Sequence, residues 1–302
     1  VDTYIFSKPM GISSKSPSIS SRFVKEENYA GGSLAIAENL AELGCSVNLA
    51  FVSGNEDFFR PVINKVRKNK NIKFNIENSK SYHTPRKIRY IDIFKNQRIF
   101  ELVHIPENNL YYNNRIFLTS LKMINESDLI MIADFGHGLM SQKEINLLKK
   151  YKKYTSINVQ TNSENLGFNL FSKYQSFDYM SIDERECRLG MHDRLTDIVV
   201  LAKKIQKKYK KNISITLGNK GSINLTKSKV SKCPNFFDDI VDTTGAGDAY
   251  FAITSLLSKV SGDTDLISFI GNIYAGLATQ IIGNKDPVSK ISLIKSLKSI
   301  LG

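Results

Sequence analysis

Short apolar runs alternate with amphipathic helical patterns along this chain, and that alternation constrains its fold more than any other feature. Val47–Ser53, Asp128–Ala133, Ser156–Val159, Tyr179–Ile182 and Ile213–Leu217 are runs of four to seven residues bounded by polar residues or glycine. Such runs suit strands covered on both faces. Between them, Ser33–Leu43 sets Leu34, Ala37, Leu40 and Ala41 on one helical face and stops at Gly44. Gln142–Tyr151, Leu195–Tyr209, Ala246–Leu257, Asp265–Ile282 and Ser289–Leu301 repeat the theme. Strand–helix alternation implies an α/β fold with a mostly parallel sheet covered by helices on both sides. Two stretches depart from it. Lys87–His104 alternates strongly about a Lys-Asn-Gln centre and reads as a β-hairpin with one wet face. Ile5–Val24 is polar and Ser-rich, contains Pro9 and Pro17, and reads as short extended pieces. Together they suggest a small sheet flap beside the main sheet, formed by about residues 3–28 and 83–105.

Composition excludes several classes. The 302 residues hold one large α/β domain or two modest ones, with 41% apolar and 24% charged residues, an ordinary globular balance. No apolar run approaches the roughly 18 residues of a membrane span, and no membrane partner is expected. The opening Val1-Asp2-Thr3-Tyr4 is not a signal-peptide pattern. Cys45, Cys187 and Cys233 are too few and too scattered for a disulfide framework or a zinc site, so a reducing cytoplasm is expected. The net charge of +13 raises the question of a polyanion partner. Yet 32 Lys stand against 10 Arg, and Arg is the usual reader of phosphates and base edges. The excess is read as lysine drift over the surface, with no nucleic acid partner.

The most informative segment is Val241–Ala252, in which Asp-Thr-Thr-Gly-Ala-Gly-Asp leads into a helix. A Gly245-Ala246-Gly247 turn opening a helix leaves backbone N–H groups without intrahelical acceptors. The missing side chains let a phosphate approach, and the helix dipole adds partial positive charge. The turn is thus an anion hole suited to a transferring phosphoryl group. Asp248 stands at its mouth, where a carboxylate can take the proton of an attacking hydroxyl.

This string resembles the C-terminal signature of the PfkB/ribokinase family of sugar kinases. The resemblance spans nearly the whole chain. Ala30-Gly31-Gly32 followed by Asn39–Gly44 is similar to the family's N-terminal signature. Ala133–Gly138 resembles the strand-end Asp-Tyr-x-x-Gly of the heptose-phosphate kinase branch. Asp183–Glu186 stands where the family carries Asn-x-x-Glu, and Thr216–Gly221 resembles its nucleotide loop. Gly11–Pro17 and Thr84–Arg89 are most similar to the kinase half of bifunctional ADP-heptose synthases.

The resemblance implies a ribokinase-like three-layer fold forming one kinase domain over residues 1–302, with the flap as a β lid over the sugar. It implies an enzyme that uses ATP and Mg²⁺ to phosphorylate a hydroxyl of a sugar or sugar phosphate. Asp248 would be the base, with Gly245, Ala246 and Gly247 as anion hole. Glu186 would hold Mg²⁺ through water. Asp183, Thr216, Gly218, Gly221 and Thr243 would serve the nucleotide. Asn272 is either a residue near the adenine or a helix-surface Asn. Asp2, Gly31, Gly32 and Asp134 would meet the sugar. Lys87 and Arg89 either hold a phosphate already on the substrate or form a solvated strand face. His137 is read as structural. Three departures stand out: Ala35 for an Asn, Asp183 for an Asn, and Gln160-Thr161-Asn162 for Asp-Pro-Lys. They give weight to a non-catalytic sugar- or nucleotide-binding module as the alternative. A strand with a Gly-Asp turn is expected to precede Asp2, and unpaired lid edges would suit a homodimer.

Overall fold

The computed structural model describes residues 1–78, 82–105, 115–162 and 165–302. Its main sheet has six strands in the order β12-β11-β10-β9-β8-β7. These are β7 (Leu129–Asp134), β8 (Tyr154–Val159), β9 (Tyr179–Asp183), β10 (Asn212–Thr216), β11 (Ser222–Leu225) and β12 (Val230–Cys233). The first four are mutually parallel, and β11 and β12 are antiparallel additions. The pleat sorts the core by chemistry. One face of the sheet is aliphatic: Ile157, Val159, Met180, Ile182, Ile213 and Ile215 are all at most 1% exposed and pack with Leu201 and Ile205. Those two lie on α6 (Ile198–Tyr209), which starts later than the periodicity suggests because Asp197 caps it, accepting from Val199 and Val200 N–H.

The opposite face is small and polar, and it seats α7 (Ala246–Val260) and α8 (Thr264–Ala278). Asn224 Nδ2 donates to Tyr250 Oη at 2.9 Å and to Ser268 Oγ at 2.8 Å, and Tyr179 Oη donates to Ser214 Oγ at 2.6 Å. A buried network satisfied in this way admits one seating of the helix. It therefore fixes where the Gly245–Asp248 turn lies over the sheet. Helix α1 (Ser33–Glu42) packs against α7 and is buried along most of its length.

A second, four-stranded sheet has the order β2-β1-β5-β6. Its strands are β1 (Asp2–Ile12), β2 (Ile19–Tyr29), β5 (Arg86–Asp92) and β6 (Gln97–His104). The hairpin over 87–104 is as expected. The Ser-rich segment is not: it forms two eleven-residue strands rather than short pieces. Much of β2 faces solvent, which is why its sequence lacks the apolar signature of a strand. Tyr4, Phe6, Tyr29 and Ile91 make this sheet's own apolar centre.

A third, two-stranded parallel sheet joins β3 (Val47–Ser53) to β4 (Ile72–Asn78), with α2 (Phe59–Val66) packed beside it. Among the described residues β3 pairs only with β4, and β7 pairs with β8. Residues of β3 and β7 line the same cavity of about 970 Å³, which reaches β5 and β6 of the second sheet. Among the described residues no helix is long and apolar enough to cross a membrane.

Candidate active site

The cavity ends at the start of α7. Gly245 takes φ +83°, and a Cβ there would lie 1.6 Å from Asn284 Oδ1, so only glycine fits. Ala246 N–H donates to Thr243 O at 3.3 Å, which tightens the turn, while a Cβ on Gly247 would meet open space. The hole is therefore rigid behind and open in front. No strand precedes it: Val241 is exposed and irregular. What anchors the turn is Asp242, whose carboxylate accepts from Tyr4 Oη, from Gly283 N–H at 3.0 Å and from Thr244 N–H at 3.0 Å. Asp242 thereby ties the lid strand β1, the turn and the loop after α8 together. Sequence reading passed over it because its partners lie far along the chain.

Asp248, in the first turn of α7, is 8% exposed. Burial and the negative charge of Asp2 raise its pKa to about 7, against the opposing effects of a Gln160 hydrogen bond and the Lys87 charge. A carboxyl tuned close to neutrality is well matched to general base work.

Glu186 lies on α5 (Glu184–Met191) and is 7% exposed. It forms a capping box with Asp183: Asp183 accepts from Glu186 N–H at 2.6 Å, and Glu186 accepts from Asp183 N–H at 2.8 Å. Its other oxygen accepts from Thr161 N–H at 3.2 Å. Burial, then the Asp183 charge, push its pKa up to about 8, and Asp248 adds to the effect. Asp183 and Asp248 both raise the cost of ionising Glu186, and a field of that sign favours a cation. The described residues contain no cluster of three close metal-ligating side chains. A hydrated ion reached through water fits this donor set, since Mg²⁺ keeps several waters.

At the other end of the cavity, Gly31 and Gly32 lie just before α1. A Cβ on Gly31 would meet the Asp2 carboxylate at 2.4 Å, and one on Gly32 would meet the Phe135 ring at 2.9 Å. These glycines bring Asp2 and Phe135 against the helix start. Lys87 lines the cavity, and among the described residues its ammonium has no carboxylate within ion-pair distance. Arg89, two residues on along the same face, has another task. It is 6% exposed, pairs with Asp2, and its Nε lies 2.9 Å from Glu101. It braces the lid strands and is not free for a phosphate. Asp134 is likewise engaged: it accepts from Tyr174 Oη at 2.7 Å and from Gly136 N–H at 3.0 Å, and pairs with Lys173 at 2.5 Å. It shapes the cavity wall rather than offering open acceptors to a sugar. His137 is half-buried, and burial together with Lys87 lowers its pKa to about 4, so it is neutral at pH 7.

The nucleotide-loop residues gather at the far edge of the main sheet. Thr216 ends β10, and Gly218 opens the turn at φ +60°. Gly221 sits at φ +89°, where a Cβ would lie 2.0 Å from Cys233 O. Asn272 is no surface residue: it is 6% exposed and donates to the same Cys233 O at 3.1 Å. Beside them is a smaller cavity of about 340 Å³ lined by Leu217, Lys220, Ile223, Cys233 and Pro234. Thr243 is exposed at the turn between the two regions and lines the main cavity.

Comparison with known proteins agrees with this geometry. The chain is similar to bifunctional protein HldE of Koribacter versatilis, 21% identical over 301 residues, covering 98% of this chain and 61% of that protein. It is 24% identical over 311 residues to the HldE of Campylobacter fetus, covering 99% of this chain and 65% of the relative. The chain thus spans somewhat under two thirds of these relatives. Among solved structures, ribokinase from Thermotoga maritima superposes with a TM-score of 0.74 at 18% identity, covering 98% of this chain and 96% of that one. Phosphofructokinase-2 from Escherichia coli, in complex with substrates and products, gives 0.79 at 13% identity, covering 100% and 96%. These likenesses establish a ribokinase-like α/β fold. The profile of the pfkB family carbohydrate kinases matches residues 11–288, and the chain belongs to that family of carbohydrate kinases.

Proposed function

We propose that this chain transfers the γ-phosphoryl group of Mg·ATP to a hydroxyl of a sugar phosphate of the heptose 7-phosphate class. The observation that carries the reading is Asp248, a buried carboxyl with pKa near 7 beside an open anion hole, between the lid cavity and the nucleotide loop. The acceptor lies in the lid cavity against Gly31 and Asp2. Lys87 lines that cavity and, among the described residues, has no carboxylate within ion-pair distance, which favours an acceptor already carrying an anionic group. The resemblance of Gly11–Pro17, Thr84–Arg89 and Ala133–Gly138 to the heptose-phosphate kinase branch supports a heptose phosphate in particular.

Asp248 takes the proton as the acceptor oxygen forms its bond to Pγ and the Pγ–O bond to ADP breaks. The N–H groups of Gly245 and Gly247 hold the charge of the phosphoryl oxygens, while that of Ala246 is taken by Thr243 O. Asp183 and Glu186 would hold Mg²⁺ through water, and the ion supplies neutralisation of the triphosphate charge. The lid strands β1 and β5 keep water from the phosphoryl group, so that ATP is not simply hydrolysed.

An ADP-release screen over sugars and sugar phosphates, heptose 7-phosphates included, tests the proposal. Turnover with a phosphorylated heptose, falling by about 10²–10⁴ in D248N while ATP still binds, is the expected result. Turnover that survives D248N would refute the mechanism. ATP binding without transfer to any acceptor would favour the non-catalytic module.

A further inference from the structure

The floor of the main cavity holds a contact to which phosphoryl transfer as described above gives no task. Gln160 follows β8, and its backbone is clamped on both sides. Its N–H donates to Asp134 O at 2.9 Å, and its carbonyl accepts from Asn169 Nδ2 at 3.0 Å. Its side-chain Nε2 donates to Asn158 Oδ1 at 3.0 Å and to Asp248 Oδ1 at 2.9 Å. Asn158 is 6% exposed and fixed in turn, donating from Nδ2 to Ser181 O at 2.8 Å. A glutamine amide has two N–H donors, and here both are used. The reverse orientation would set Oε1 against two acceptor oxygens, so the network admits one orientation of the amide. A chain of amides therefore runs from β9 through Asn158 and Gln160 to the carboxyl group of α7.

We propose that Gln160 is the positioning residue for Asp248: its amide fixes Oδ1 and turns Oδ2 toward the acceptor hydroxyl. The inference rests on the reading of Asp248 as base. Among the described residues Oδ2 accepts no hydrogen bond from the protein. The charges that face Asp248 are Asp2 from β1, Glu186 from α5 and Lys87 from β5. Two of the three are negative. A carboxylate at position 160 would add a third and drive Asp248 toward its protonated form, whereas an ammonium would pair with it and weaken it as a base. A neutral donor stabilises the ionised carboxylate without either effect. Gln160 thus gives the base a neutral hydrogen-bond partner.

The test reads Asp248 directly, in the full chain labelled with ¹³C-aspartate. The side-chain carboxyl resonance that D248N removes is that of Asp248, and its pH titration is followed by NMR. In Q160L the midpoint is expected to move up by about one pH unit, since a hydrogen bond to the charged form is lost. In Q160E, of the same size and shape, it moves up further. Where an active acceptor such as a heptose 7-phosphate is in hand, the acidic limb of kcat/KM should move with it, at unchanged KM for ATP. A midpoint that stays put in folded Q160E overturns the proposal, whether or not Q160L folds. Absence of transfer to any acceptor, with the NMR shift present, would instead refute the kinase reading and leave the Gln160–Asp248 coupling standing.

Discussion

Replacing Asp248 by asparagine is expected to remove turnover and at the same time to stabilise the fold. The carboxyl is 8% exposed, and its surroundings raise its pKa from an ordinary value near 3.8 to about 7. That is a rise of about three units, each equivalent to about 1.4 kcal/mol. The unfolded chain gives up this proton near pH 4 and the folded chain near pH 7. Between those values the folded state holds the extra proton, so stability falls as pH rises through the window. The deficit is complete above about pH 7, at about 4 kcal/mol as an upper bound, because water entering the cavity relieves part of the cost. Asparagine keeps the shape, carries no charge, and its carbonyl oxygen can accept from Gln160 Nε2. Urea unfolding of both proteins at about pH 8 and about pH 4 measures the effect. D248N should be the more stable by some 2–4 kcal/mol at the higher pH, with the difference vanishing at the lower. Equal stability at both pH values would refute the reasoning, since Asp248 would then be as well solvated folded as unfolded.

Other consequences follow from neighbouring contacts. K87M and R89M should differ in kind. K87M is expected to raise KM for a phosphorylated acceptor about tenfold with little change in thermal midpoint. R89M strips Asp2 and Glu101 of their buried partner and is expected to cost about 3–5 kcal/mol, read as a lowered midpoint. G245A places a methyl where Asn284 Oδ1 sits and forces a left-handed alanine. It should lower kcat by more than tenfold with the circular dichroism spectrum unchanged, the φ strain alone costing about 1–2 kcal/mol. E186Q keeps the acceptor for Thr161 N–H but removes a charge, and should raise the Mg²⁺ concentration for half-maximal turnover, measured by titration at fixed ATP.

What the sequence revealed and what it hid divide along a physical line. Periodicity records which face of an element is buried, so β3, β7, β8, β9 and β10 were legible, as were α1, α6, α7 and α8, whereas α2 and α5 were not read. It fails where a strand has little core to face. The exposed β2 carries no apolar stripe, and the four-residue β11 and β12 are too short to show one. The site was legible where function constrains the backbone itself. Gly245 and Gly221 are demanded by positive φ and by atoms pressed against their Cα, and such demands are met locally. Side-chain partners across the fold leave no such trace. Lys87 and Arg89 are two residues apart on one face and look alike in the sequence. Asp2 pairs in register with Lys87 along β1, yet its carboxylate turns to Arg89, which Glu101 of β6 also holds. That choice leaves Lys87, among the described residues, without a carboxylate partner. Gln160 and Asp248 stand 88 positions apart and meet because β8 ends where α7 begins. The same holds for Asp242 and Tyr4, 238 positions apart. The glycine turn at the start of α7 is thus specified locally, whereas the surroundings of its aspartate are specified by residues that only the folded chain brings near.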